Sequence, residues 1–127
     1  MSDMPDAGAA GGPLLIACLC AQWCGTCRDY LVVFDALCTE LGARAACVWV
    51  DIEDDDEVLG PLEVENFPTL LIARSDEVLF FGPITPQPQT LARLVQSAFA
   101  GDLKPVVDAA LAGLPGRVRG LADALRR

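Results

Sequence analysis

Two cysteines separated by two residues stand out in the run Trp23-Cys24-Gly25-Thr26-Cys27. Placed between a strand and a helix, that spacing suits dithiol–disulfide exchange. At a helix N-terminus the unpaired backbone N–H groups and the helix dipole favour a thiolate, so Cys24 is expected to be the attacking group. Two intervening residues carry Cys27 about one turn further, within reach of a mixed disulfide at Cys24, and Cys27 is expected to resolve it. The plainer readings are half of a zinc site or two core cysteines. A strand before the motif and a helix after it argue against both.

The flanking sequence supplies those elements. Leu14 to Cys20 is a continuous apolar run, short enough for a strand buried on both faces. Beyond Cys24, the residues Leu31, Phe34, Cys38 and Leu41 recur at helical spacing, with Gly42 just past the expected end. Ala46 to Ile52 predicts a second strand, running into the acidic stretch Asp51 to Glu57. That stretch lacks the glycine and alternating ligands of a calcium loop and is expected to be a solvated loop or helix start. Thr69 to Ala73 and Val78 to Phe81 suit an antiparallel hairpin, and Thr90 to Phe99 predicts a helix stopped by Gly101. Two short helices are expected over 103–111 and 117–127, separated by Gly113-Leu114-Pro115-Gly116. Strand, helix, strand, hairpin and helix in that order predict an α/β layout with a mixed sheet covered by helices. Residues 1–13 read as a flexible tail, 14–100 as the domain, and 101–127 as a helical extension packed on it.

A chain of 127 residues, 53% hydrophobic and 21% charged, is sized for one domain with a real core. Its formal net charge of -9 excludes the concentrated basic surface that nucleic acid or anionic lipid requires, although Arg117, Arg119, Arg126 and Arg127 make the end locally basic. Neither nucleic acid nor a membrane is an expected partner. No lysine or arginine precedes Arg28 and no export signal is visible, so a cytoplasmic location is expected. In a reducing compartment six cysteines do not read as a disulfide framework, which leaves some of them for chemistry. Cys18 and Cys20, two apart on a strand, face the same side and are poorly placed to bond to each other. They read as small core residues. The sharper alternative joins Cys18, Cys20, Cys24 and Cys27 in a four-thiolate site for zinc, copper(I) or an iron–sulfur cluster. Cys38, on the apolar face of the helix, and Cys47, in the second strand, read as core residues without a visible partner. On the primary reading no metal and no cofactor is expected.

With these motifs the chain resembles the thioredoxin family. Trp23-Cys24-Gly25-Thr26-Cys27 is similar to that family's tryptophan-led CxxC site, and Phe67-Pro68-Thr69, just before a strand, looks like its cis-proline loop. The resemblance covers residues 14 to 99. It implies a thioredoxin-like mixed sheet flanked by helices, here with the first strand and helix reduced or absent and a C-terminal helical extension. It further implies a cis Phe67–Pro68 bond against the dithiol, a Phe67 backbone that pairs with an extended substrate, and Gly82 beside the substrate groove. Trp23, Gly25 and Thr26 would complete the substrate-contacting set. The implied activity is reduction of protein disulfides, with a thioredoxin reductase or another dithiol donor as electron source. A redox-sensing or partner-binding module on the same fold is the alternative.

Three departures from the family matter. Its buried aspartate, six residues before the nucleophile, and the lysine that pairs with it are here Cys18 and Trp49. Without that carboxylate a candidate base for the resolving thiol is gone, and resolution is expected to be slow or water-assisted. Thr26 stands where reducing members commonly have proline, so the motif does not set the direction of electron flow. With the first strand and helix lacking, one sheet edge is expected to be bare, and the C-terminal helices, residues 103–127, are expected to cover the vacated surface.

Overall fold

The computed structural model describes residues 14–21, 25–60, 62 and 64–125; the expected N-terminal tail, and Trp23 and Cys24 of the motif, lie outside them. Strand β1 (Leu14–Cys20) is buried along its whole length. It pairs in parallel with β2 (Ala45–Asp51) and antiparallel with β3 (Thr69–Arg74), and β3 pairs antiparallel with β4 (Glu77–Pro83). The sheet order is therefore β2-β1-β3-β4. An inner strand covered on both faces has no side open to water, which is why β1 is apolar without alternation.

Parity along β1 sorts two cores. Leu14, Ile16, Cys18 and Cys20 face helices α1 (Gly25–Leu41) and α2 (Pro88–Ala100), while Leu15, Ala17 and Leu19 face Leu111, Leu114 and Val118. Helix α1 buries Cys27, Tyr30, Phe34 and Leu41. Leu31, assigned to the inner stripe by sequence, points outward at 37% exposure, because Tyr30 takes that turn of the inner face. Gly42 follows at φ +56°, a left-handed conformation that suits the residue after a helix. Helix α2 has Pro88 in its first turn and closes at Gly101, φ +79°, where Asp102 N–H donates to the Ser97 carbonyl at 2.9 Å. No helix among the described residues is long and apolar enough to cross a membrane.

The C-terminal segment departs from expectation. Residues 103–108 are not helical, and only Ala109–Leu111 forms a 3-10 turn. Pro105 disfavours helical backbone at Lys104, and Val106 N–H instead donates to the Val78 carbonyl at 2.7 Å, beside β4. Helix α3 (Leu114–Leu125) starts earlier than predicted, since Pro115 lies in its first turn, where a missing N–H is no loss. The supposed breaker is the helix start. Leu114 and Val118 pack on β1 and β2 across the face opposite α1, so α3 covers a sheet face and not the outer edge of β2. Arg117 anchors it by donating to the carbonyls of Val58 at 2.7 Å and Leu59 at 3.3 Å. Gly60, at φ +58°, leaves room for that guanidinium, which a Cβ there would meet at 2.9 Å.

Candidate active site

Helix α1 begins at Gly25, so Gly25 and Thr26 lie exposed at its start and Cys27 turns inward, 1% exposed. Cys27 Sγ is joined to Cys20 Sγ in a disulfide, with the two Cα atoms 5.7 Å apart. From sequence Cys20 reads as a core residue. Its parity on β1 turns it toward α1, whose first turn carries Cys27 into the same core cluster. A second disulfide joins Cys38 of α1 to Cys47 of β2, Cα–Cα 6.1 Å, which corrects the expectation that neither had a partner. Both cysteines lie where α1 packs against β2, a proximity that neither residue's local sequence encodes.

Beneath this pair the site is apolar. Cys18 is fully buried, and its S–H is the available donor to Cys20 Sγ, 3.8 Å away, since Cys20 carries no proton in the disulfide. Burial pushes the Cys18 thiol up to about 12, so at neutral pH it stays protonated and is no substitute for a carboxylate base. Tyr30 is 1% exposed, and among the described residues its hydroxyl has no hydrogen-bond partner. Burial, and then the proximity of Cys18, raises its pKa above the ordinary tyrosine value. Trp49 tilts against Phe34, ring centroids 5.8 Å apart. Beside Cys27 a groove of about 260 Å³ is lined by Ala21, Arg28, Leu31, Trp49 and Asp51.

The Phe67–Pro68 peptide bond is cis, the isomer the resemblance implies. Two hydrogen bonds hold this loop: Thr69 Oγ1 donates to the Asn66 carbonyl at 2.6 Å, and Ile84 N–H donates to the Pro68 carbonyl at 3.1 Å. Leu19, next to Cys20, pairs with Thr69, the residue that follows Pro68. The proline loop and Cys20 thus share one end of the sheet. Gly82 pairs with Leu70 at that same end and borders a hollow of about 160 Å³ with Asn66, Thr69 and Pro83. A Cβ on Gly82 would meet only the Phe80 ring, at 3.9 Å, so packing does not demand glycine there; the missing side chain keeps the hollow open. Among the described residues no group of three metal-ligating side chains comes together, and two sulfurs of the four-thiolate reading are bonded to each other.

A mixed sheet with helices on both faces, a CxxC motif entering α1 and a cis-proline loop at the same sheet end define the class of thioredoxin-fold thiol–disulfide proteins. The family model for thioredoxin matches residues 9–95, and the chain belongs to the thioredoxin family. It is 32% identical over 66 residues to the thioredoxin of Bacillus subtilis, 52% of this chain and 64% of that protein. Over 58 residues it is 29% identical to the thioredoxin of Rhodospirillum rubrum, 46% of this chain and 56% of that one. The chain thus spans less than two thirds of the length of either relative. Among solved structures it superposes on thioredoxin from Trypanosoma brucei brucei with a TM-score of 0.61 and 25% identity, covering 69% of this chain and 76% of that one. The Drosophila germline thioredoxin Deadhead gives a TM-score of 0.62 at 20% identity, over 70% of this chain and 84% of that one.

Proposed function

We propose that this protein reduces protein disulfides, with Cys24 as attacking thiolate and Cys27 as resolving thiol. The observation that carries the reading is Cys27 in the first turn of α1 together with the cis Phe67–Pro68 loop beside the strand that ends at Cys20. Cys24 attacks one sulfur of a substrate disulfide and expels the other as a thiolate. Cys27 then attacks Cys24 Sγ, releases the second substrate thiol and leaves the two cysteines oxidised. The substrate segment lies extended against the Phe67 backbone and Pro68, with Trp23, Gly25, Thr26 and Gly82 bordering it. Electrons return from a thioredoxin reductase or another dithiol donor in the cytoplasm. A net charge of -9 supports a protein partner over nucleic acid or a membrane surface. With Cys18 held protonated, no described residue beneath Cys27 takes its proton, and solvent entering the groove beside it is the acceptor.

A Cys27→Ser variant incubated with a disulfide-bonded protein such as insulin tests this reading. Mixed disulfides through Cys24 are expected to accumulate, and a Cys24→Ser, Cys27→Ser double variant is expected to form none. Equal capture by the two variants overturns the assignment.

A further inference from the structure

Resting on that reading, we propose that Cys20 is a third redox-active thiol, which takes Cys27 from Cys24 and leaves the oxidised protein with a buried Cys20–Cys27 disulfide and a free Cys24. The structure already holds Cys20 and Cys27 as a bonded pair with ordinary Cα separation, both 1% exposed. Cys20 is held rigidly: its strand is paired on both sides, it stands opposite Asp51 in β2, and its carbonyl accepts from Ile52 N–H at 2.9 Å. Cys18 is the spectator of the group. Its thiol stays protonated, and Cys18 and Cys20, on one face of one strand, remain 3.8 Å apart and unbonded.

The exchange balances without an added oxidant. Two electrons pass from Cys24 and Cys27 to the substrate disulfide, leaving the Cys24–Cys27 bond. Cys20 sulfur then attacks Cys27 sulfur, the Cys20–Cys27 bond forms, the Cys24–Cys27 bond breaks and Cys24 leaves as thiolate. The proton of the Cys20 thiol passes to the departing Cys24 thiolate, and the number of disulfides is unchanged. Two physical preferences drive the step. A neutral disulfide brings no charge into the apolar site, and the packing of α1 on β1 already holds the Cys20 and Cys27 sulfurs at bonding separation. The nucleophile of the reductase is thereby restored to its thiol form while the oxidising equivalents sit out of reach of solvent. In this state Cys24 forms mixed disulfides without a resolving partner until an external dithiol reduces the buried bond.

Chymotryptic cleavage separates the participants, since cuts after Leu19, Trp23 and Tyr30 place Cys20 in one peptide and Cys24 with Cys27 in the next. The wild-type chain is oxidised with diamide, alkylated in the native state with iodoacetamide and digested. The expected product is a linked pair of peptides, Cys20–Trp23 joined to Cys24–Tyr30, with the label on Cys24. Closure of a Cys24–Cys27 loop within one peptide, with Cys20 alkylated only after denaturation, overturns the proposal. As a second arm, Cys24→Ser is expected to form the Cys20–Cys27 disulfide under the same oxidant; a fully reduced pair there also overturns it. Failure of the reductase reading shows separately, as absence of Cys24 mixed disulfides in Cys27→Ser.

Discussion

Replacing Tyr30 with phenylalanine should make the protein more stable. Tyr30 is 1% exposed on the inner face of α1, and no described residue accepts or donates a hydrogen bond at its hydroxyl. Burying a hydroxyl without a partner costs about 1–3 kcal/mol, the part of its hydration that nothing in the fold replaces. Tyr30→Phe removes that cost, loses only a few oxygen contacts worth about 0.1–0.2 kcal/mol each, and leaves helix propensity nearly unchanged. The net expectation is a gain of about 1 kcal/mol. In urea, with a slope of about 1.5 kcal/mol/M for a domain of this size, the midpoint should rise by about 0.7 M at constant slope. Equilibrium unfolding followed by tryptophan fluorescence, with the cysteines held in one oxidation state for both proteins, reads this directly. A loss of 1 kcal/mol or more in Tyr30→Phe would refute the reasoning, because it would mean that the hydroxyl has a partner.

The Cys38–Cys47 disulfide closes a separation of nine residues, for which loop closure gives about 2–3 kcal/mol of stabilisation. The double variant Cys38→Ser, Cys47→Ser should therefore unfold at distinctly lower urea, and an unchanged midpoint would show that the bond contributes nothing in solution. Stability should also fall in alkali through Cys18. Its thiol rises from 9.0 to about 12 on burial, so folded and unfolded chains hold the same proton below pH 9, whereas between pH 9 and 12 only the unfolded chain ionises. At about 1.4 kcal/mol per pH unit, the loss reaches on the order of 4 kcal/mol at pH 12. Tyr30, raised in the same sense, adds to it at the upper end. Unfolding titrations of Cys18→Ala should show a shallower alkaline decline than wild type; parallel curves would show that Cys18 ionises as readily in the fold as out of it.

Much of the fold was legible residue by residue. The unbroken apolar run of β1 announced an inner strand, the Arg74 to Glu77 interval announced a hairpin, and Gly42 and Gly101 marked helix ends at positive φ. Errors arose where one local signal had two readings. Pro115 looked like a break and is a helix start, while Leu31 fitted the stripe that Tyr30 occupies. Arg117 looked like part of a basic tail, yet its guanidinium ties α3 to the Val58 and Leu59 carbonyls. A side chain that satisfies carbonyls almost sixty residues away leaves no periodic trace.

The sequence by itself determined the properties set by neighbours along the chain: the dithiol spacing at a strand-to-helix junction, the face each β1 residue occupies, the Phe-Pro-Thr loop and the acidic balance. Tertiary structure decided which sulfurs meet. Cys20 pairs with Cys27, and Cys38 with Cys47, because α1 folds back over β1 and β2, and the distance between residues on different elements follows from how those elements pack. It also decided that Cys18 stays a protonated thiol, since a pKa follows from the depth and polarity of a site that no single stretch of chain encloses.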